Sequence, residues 1–460
     1  MSLKEEQLIY KHERGYDTPN HAERKKIFAF ADEYAKFLGE AKTERIFTKK
    51  AAELLKANGF TEYAKGKKLK AGDRIYFINR NRSLAAVTVG KEPASAGVNL
   101  VASHIDSPRL DLKPIPLFES EGALYIKTHY YGGIKKYQWT TIPLCLLGTV
   151  VLKSGKSVDI SIGSDPSDPI FVISDILPHL GKNQEKKTLG EAIEAEQLNA
   201  FGATIPYDDN DAKEKIKLNF LDILNRKYKI TESDLISADL CLVPAYSPRD
   251  IGLDRSLLGA YGQDDKVCAY TSLIAFLESK DSEKTKVLYL ADREEVGSMG
   301  NSGSQSAFLP NVLAELADND GSKLRDVWAN TVCLSADVCA AYDANYAEAF
   351  EKNNSVFLNG GLALMKYTGA RGKAGSSEAS AELVSVIRQL FDKGKVTWQI
   401  GELGKVDFGG GGTVAQYIAN LGAEVIDCGV PIISMHSPYE VSSKFDVYMA
   451  YKGYKVFYES

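Results

Sequence analysis

The chain has 460 residues, 44% hydrophobic and 25% charged, a balance typical of soluble globular proteins and enough material for roughly two to three domains. Its net charge of −5 carries no basic stripe, which excludes nucleic acid and anionic membrane surfaces as expected partners. No apolar run approaches the roughly 20 residues of a membrane-spanning helix. The start, Met1-Ser-Leu-Lys-Glu-Glu, lacks the apolar stretch of a signal peptide. Six dispersed cysteines without a CxxC suit a reducing compartment, so the chain reads as cytoplasmic.

Residues 21 to 67 read as helical, with Ile27, Phe30, Tyr34 and Phe37 at helical spacing. Residues 74 to 89 turn strand-like around an Asn-Arg-Asn turn, and residues 97 to 103 form a short buried strand that delivers His104 and Asp106 at its end. From 110 to 249 the character changes to short strand-like pieces, among them 123–128, 144–152 and 157–162, separated by Gly, Pro, Ser and Asp turns. A polar stretch from 181 to 217 reads as an exposed loop. This block is expected to be an inserted, mainly β domain, leaving a discontinuous domain over 1–109 and 250–460.

After residue 250 strands and helices alternate. Helices are expected at 266–277 (Val267, Tyr270, Ile274 and Leu277 on one face), 377–391, 414–421 and from about 444. Strands are expected at 287–290, 331–335, 396–400 and 425–435. The fold class is therefore α/β, with a mostly parallel central sheet covered by helices on both faces. In such sheets ligands bind beyond the carboxyl ends of the strands.

Those ends carry the chemistry. The stretch Lys286 to Ser298 runs an apolar strand into adjacent Glu294 and Glu295, followed by Gly297. Neighbouring carboxylates repel, so a site with one glutamate on a cation and the other moving protons would explain the pair; a solvated loop is the ordinary alternative. Four other ends offer His104 and Asp106, Asp264-Asp265, Asp337, and His436. Asp264 and Asp265 can equally cap the helix that follows them. Histidine and carboxylate without thiolate suit zinc, cobalt or manganese in a hydrolytic site. Two histidines and three carboxylates suffice for two metals about 3.5–4 Å apart sharing one carboxylate, with a spare glutamate as general base.

The ordered motifs Ser103-His-Ile-Asp106-Ser-Pro, Gln263-Asp-Asp265, Glu294-Glu-Val-Gly-Ser298, Ser335-Ala-Asp337 and Met435-His-Ser437 resemble the M18 metallo-aminopeptidases, the aspartyl aminopeptidase family, through essentially the whole chain. The resemblance implies a peptidase that removes N-terminal residues through a hydroxide bridging two zinc ions per subunit, with Co2+ or Mn2+ able to substitute. His104, Asp264 and Asp337 would hold one ion, and Asp264, Glu295 and His436 the other. Glu294 would be the general base, and Asp106 would orient His104. The peptide after Asp264 would be cis. Assembly as a tetrahedral homododecamer of dimers through the inserted domain is also implied, with His179 reaching a neighbouring subunit's site. Lys366 resembles the lysine that receives acidic side chains in aspartyl-selective members. Gly411 and Thr413, in the Gly-rich loop 408–413, are assigned to the substrate pocket. That loop and Gln-Asp-Asp depart from the animal pattern, so a preference for acidic N-terminal residues stays open.

Two other readings remain at this point. A dizinc carboxypeptidase or N-acyl amino acid hydrolase would need an arginine for a substrate carboxylate, for which Arg109 and Arg371 are candidates. A non-catalytic peptide-binding shell would be expected to have lost a ligand or the base.

Overall fold

Every residue of the strand Thr285–Ala291 is buried, because its two faces pack into different cores. Leu288 and Leu290 join one apolar cluster, whereas Val287, Tyr289 and Ala291 join another. Ser83–Thr88 divides its side chains the same way, with Leu84 and Ala86 on one face and Ala85 and Val87 on the other. Strands buried on both faces lose the polar alternation of a half-exposed strand, which is why they appear in sequence as apolar runs. The computed structural model describes residues 15–460 together with Lys4, Leu8 and Ile9. His12 and most of the polar N-terminal segment lie outside the described residues.

Contacts divide the chain into two compact units, one of residues 1–106, 248–435 and 440–460, the other of residues 107–247 and 436–439. In the first, nine strands form a mixed sheet whose centre is parallel: Thr285–Ala291, Val98–His104, Val332–Ser335 and Glu424–Gly429 lie side by side. Antiparallel neighbours flank this centre, Ser83–Thr88 beside Thr285–Ala291 and Leu362–Met365 beside Glu424–Gly429. The register pairs Ala291 with His104 and Ser335 with Ala102, so the carboxyl ends finish along one edge.

Helices cover both faces. His21–Glu40, Glu44–Ala57, Gln263–Glu278, Ala381–Lys393 and Lys444–Tyr458 feed one core, and Phe308–Asp320, Leu324–Asn330 and Ala415–Ala419 the other. None of the helices among the described residues is long and apolar enough to cross a membrane.

The second unit carries a six-stranded antiparallel sheet, ordered Ser157–Ile162, Leu144–Val151, Ala238–Pro244, Arg109–Ser120, Ala123–Tyr131, Asn199–Ala203.

Three local expectations need correction. The helical character expected over 21–67 ends at Ala57, before the strand Thr61–Glu62, and is divided into His21–Glu40 and Glu44–Ala57, each with its own cap. Asn20 accepts from Ala22 N and Glu23 N at 3.0 and 3.1 Å, and Thr43 Oγ1 accepts from Ile46 N at 3.4 Å. The strand expected over 425–435 is also two, Glu424–Gly429 and Pro431–Ile433, in different sheets. At Gly429 the Asp337 carbonyl oxygen lies 1.7 Å from where a Cβ would stand, so only glycine permits that approach. Finally, the loop expected over 181–217 contains the strand Asn199–Ala203 and the start of a helix, Lys215–Tyr228. Glu119 Oε2 caps that helix by accepting from Ile216 N and Lys217 N, both at 3.0 Å. A cap supplied by a distant strand leaves no signal beside the helix.

Candidate metal centre

His104 is the last residue of its strand and is 1% exposed. Its Nδ1 lies 3.1 Å from Asp106 Oδ1. Its Nε2 faces Asp264 Oδ1 at 3.1 Å, Asp337 Oδ1 at 3.8 Å and Glu294 Oε2 at 3.9 Å. Four strand-end segments thus converge on one imidazole.

Asp106 does more than meet the histidine. Its Oδ1 also accepts from Glu294 N, and its Oδ2 from Glu295 N, both at 3.2 Å. Those N–H groups open a short 3₁₀ turn, Glu294–Val296, bounded by Arg293 and Gly297 at φ of 66° and 84°. One buried carboxylate therefore holds both the imidazole and the paired glutamates.

The Asp264–Asp265 peptide is cis, as the resemblance implied. Asp264 N donates to Glu440 Oε2 at 3.0 Å, and His104 N donates to Asp265 Oδ2 at 3.2 Å. Ligand atoms of His104, Asp265 and Asp337 lie within 4.8 Å of one another, as do those of His104, Asp264 and Glu295. Asp265, which stands in the quoted motif but outside the expected ligand set, is thus as close to His104 and Asp337 as a ligand would be.

The electrostatics ask for a cation. Burial pushes the Asp337 carboxyl well above the usual range, and Asp265, Glu294 and Asp264 push the same way against His104. Burial does the same to Asp265, with Asp264 adding to it. Burial pulls His104 down, yet its bonds to Asp106 and Asp264 and the charge of Asp337 leave it well above an ordinary imidazole. Six carboxylates close to one buried histidine favour either protonation or a bound cation, and their oxygen and nitrogen donors suit a catalytic zinc site.

The remaining expected site residues stand as follows. His436, in the second unit at φ 64°, directs Nδ1 at the Gly133 carbonyl oxygen at 2.9 Å. A carbonyl only accepts, so Nδ1 carries the proton in this contact, which makes Nε2 the nitrogen suited to a metal. His179 is exposed in the turn Pro178–Leu180 of the second unit, beside exposed Ile176, Leu177 and Leu180. Lys366 Nζ lies 3.8 Å from Glu378 Oε1. Gly411 is exposed, and its carbonyl accepts from Gly369 N at 2.7 Å. Thr413 Oγ1 donates to the buried Asp427 at 2.7 Å, a partner the sequence did not suggest. Arg109 is buried, bonded to Asp111 at 2.7 Å and stacked 4.1 Å from the Tyr131 ring centroid. Arg371 lines an open cleft of about 330 Å³ with Tyr367, Lys373, Glu402 and Lys405.

Comparison with known proteins follows the same lines. The profile of the aminopeptidase I zinc metalloprotease (M18) family matches residues 37–458. A probable M18 family aminopeptidase 1 of Clostridium acetobutylicum is 44% identical over 98% of both chains. The crystal structure of an M18 aminopeptidase from Thermotoga maritima superposes with a TM-score of 0.94 at 42% identity, over 98% of this chain and 99% of that one. A structure described as the S. cerevisiae mApe1 dodecamer has a TM-score of 0.76 at 22% identity, over 93% and 96% of the two chains, and so shares the fold. This chain belongs to the M18 family: it is a zinc-dependent aminopeptidase.

Proposed function

We propose that the chain cleaves the N-terminal residue from peptides at a two-metal centre in which Glu294 is the general base. The observation that carries this reading is the setting of His104, whose Nε2 faces oxygens of Asp264, Asp337 and Glu294 while Asp106 takes its Nδ1. His104, Asp264 and Asp337 hold one ion. Asp264, Glu295 and His436 hold the other, the last through the nitrogen not bonded to Gly133. Zinc there supplies a Lewis acid that polarises a carbonyl and brings the pKa of water to about 7.

The chain's own groups do the rest. Asp106 keeps the His104 tautomer and anchors the Glu294–Glu295 turn, so ligand and base hold their spacing. Glu294, 17% exposed against 1% for His104, stands on the open side, where it can take a proton from the attacking water and pass it to the leaving amine.

His179 acts from a neighbouring subunit on the oxyanion. Its exposure beside apolar side chains supports burial in an assembly, and the assembly we assign is a tetrahedral dodecamer built from dimers through the second unit. Lys366, Gly411 and Thr413 are assigned to the substrate pocket, and whether the first residue is acidic or apolar is a question for a substrate panel. A cytoplasmic setting is supported by six dispersed cysteines, all of them buried.

Glu294→Gln tests the centre of the proposal. Zinc content should stay unchanged while kcat falls by about 100- to 10,000-fold, the usual worth of a positioned base. Undiminished turnover would remove Glu294 from the role.

A further inference from the structure

The turn Gln263-Asp264-Asp265 supplies the carboxylate assigned to both metals, and its position is set from outside the turn. Glu440 opens the strand Glu440–Ser443, pairs with Ala260 and is 1% exposed. Its Oε2 accepts the Asp264 N–H at 3.0 Å.

Gln263 locks the same two segments together. Its Nε2 donates to the Glu440 carbonyl at 2.8 Å and to the Leu258 carbonyl at 3.1 Å, and its Oε1 accepts the Ser442 hydroxyl at 2.5 Å. On the other side of the turn, Asp265 Oδ2 accepts His104 N at 3.2 Å. The turn is therefore fixed to the Glu440 strand on one flank and to the histidine strand on the other.

We infer that Glu440 is a positioning residue of the metal centre, setting through the Asp264 N–H where the Asp264 carboxylate stands. Its effect depends on reach. An aspartate at 440 keeps the charge but is one methylene shorter, so it loses the contact with Asp264 N. A glutamine keeps the reach and an acceptor oxygen while losing the charge. If geometry is what matters, glutamine spares the site and aspartate does not. This inference rests on the reading of Asp264 as a ligand.

The experiment measures zinc affinity of the full chain by competition with a chromogenic chelator for Glu440→Asp, Glu440→Gln and Asp264→Asn. Thermal unfolding in excess chelator reports the metal-free fold, and kcat and KM are read on a leucyl substrate. Glu440→Asp should weaken zinc binding about 10- to 100-fold, the usual cost of losing a group that orients a ligand, and lower kcat more than it changes KM. Glu440→Gln should stay within about fivefold of the unmodified chain, the difference between a charge-assisted and a neutral hydrogen bond. In the metal-free chain Glu440→Asp should still unfold cooperatively and lose no more than about 1–3 kcal/mol, the cost of one stranded N–H.

Unchanged zinc affinity in Glu440→Asp, or an equal loss in Glu440→Gln, overturns the inference. So does a metal-free Glu440→Asp chain that no longer unfolds cooperatively, which would mark a folding defect. Unchanged affinity in Asp264→Asn would instead overturn the ligand assignment, so the two failures are told apart.

Discussion

Asp106→Asn tests how much of the site one buried carboxylate organises. Its two oxygens meet three donors: His104 Nδ1 at 3.1 Å and Glu294 N at 3.2 Å on Oδ1, and Glu295 N at 3.2 Å on Oδ2. Asparagine has one acceptor oxygen. Placed at the Oδ1 position, it leaves its amide N–H₂ facing the Glu295 N–H; flipped, it opposes the other two donors. The first arrangement is the better, and it strands one part-buried donor at a cost of at most about 1–3 kcal/mol. At 1.4 kcal/mol per decade, that is a loss of about 5- to 150-fold in the affinity or rate that depends on the Glu294–Glu295 turn. The assay is kcat/KM on a leucyl substrate at saturating zinc, beside zinc affinity from chelator competition. A variant within twofold of the unmodified chain on both measures would refute the claim that Asp106 organises the two glutamates.

Three further outcomes are expected. Burial pushes the Asp427 carboxyl up to about 6 against its bonds to Thr413 and Ser335, so between about pH 4 and 6 the folded form keeps a proton that the unfolded chain has released. Stability should therefore fall as pH rises through that window, by up to about 3 kcal/mol, and Asp427→Asn should flatten the dependence in denaturant titrations. His179→Ala should leave the molar mass by light scattering unchanged while lowering kcat about 100- to 1,000-fold, the usual worth of an oxyanion donor. Removing metal with a chelator should lower the thermal midpoint, since zinc at a thousand times its dissociation constant stabilises the fold by about 4 kcal/mol; an unchanged midpoint would contradict a centre that needs cations.

The parallel strands and the residues at their carboxyl ends were legible in the sequence alone. His104, Glu294 and Asp337 each end or follow an apolar strand of that sheet, because a strand buried on both faces has no room for charge until it leaves the core, whereas Asp264 follows Leu257–Ala260 of a separate five-stranded sheet. That rule needs no partner, so it is legible one segment at a time. The order of motifs then gave the family, which the comparisons bear out. The tertiary structure decided what depends on two distant segments meeting. Asp106 on the Glu294 and Glu295 N–H groups, Glu440 on the Asp264 N–H, and Glu119 capping the helix Lys215–Tyr228 are all hydrogen bonds across long stretches of chain, and Thr413 on Asp427 joins a loop to a strand. Hydrogen bonds act over about 3 Å and leave no periodicity in the residues that make them, so only the folded backbone, by fixing which ends lie side by side, assigns their partners.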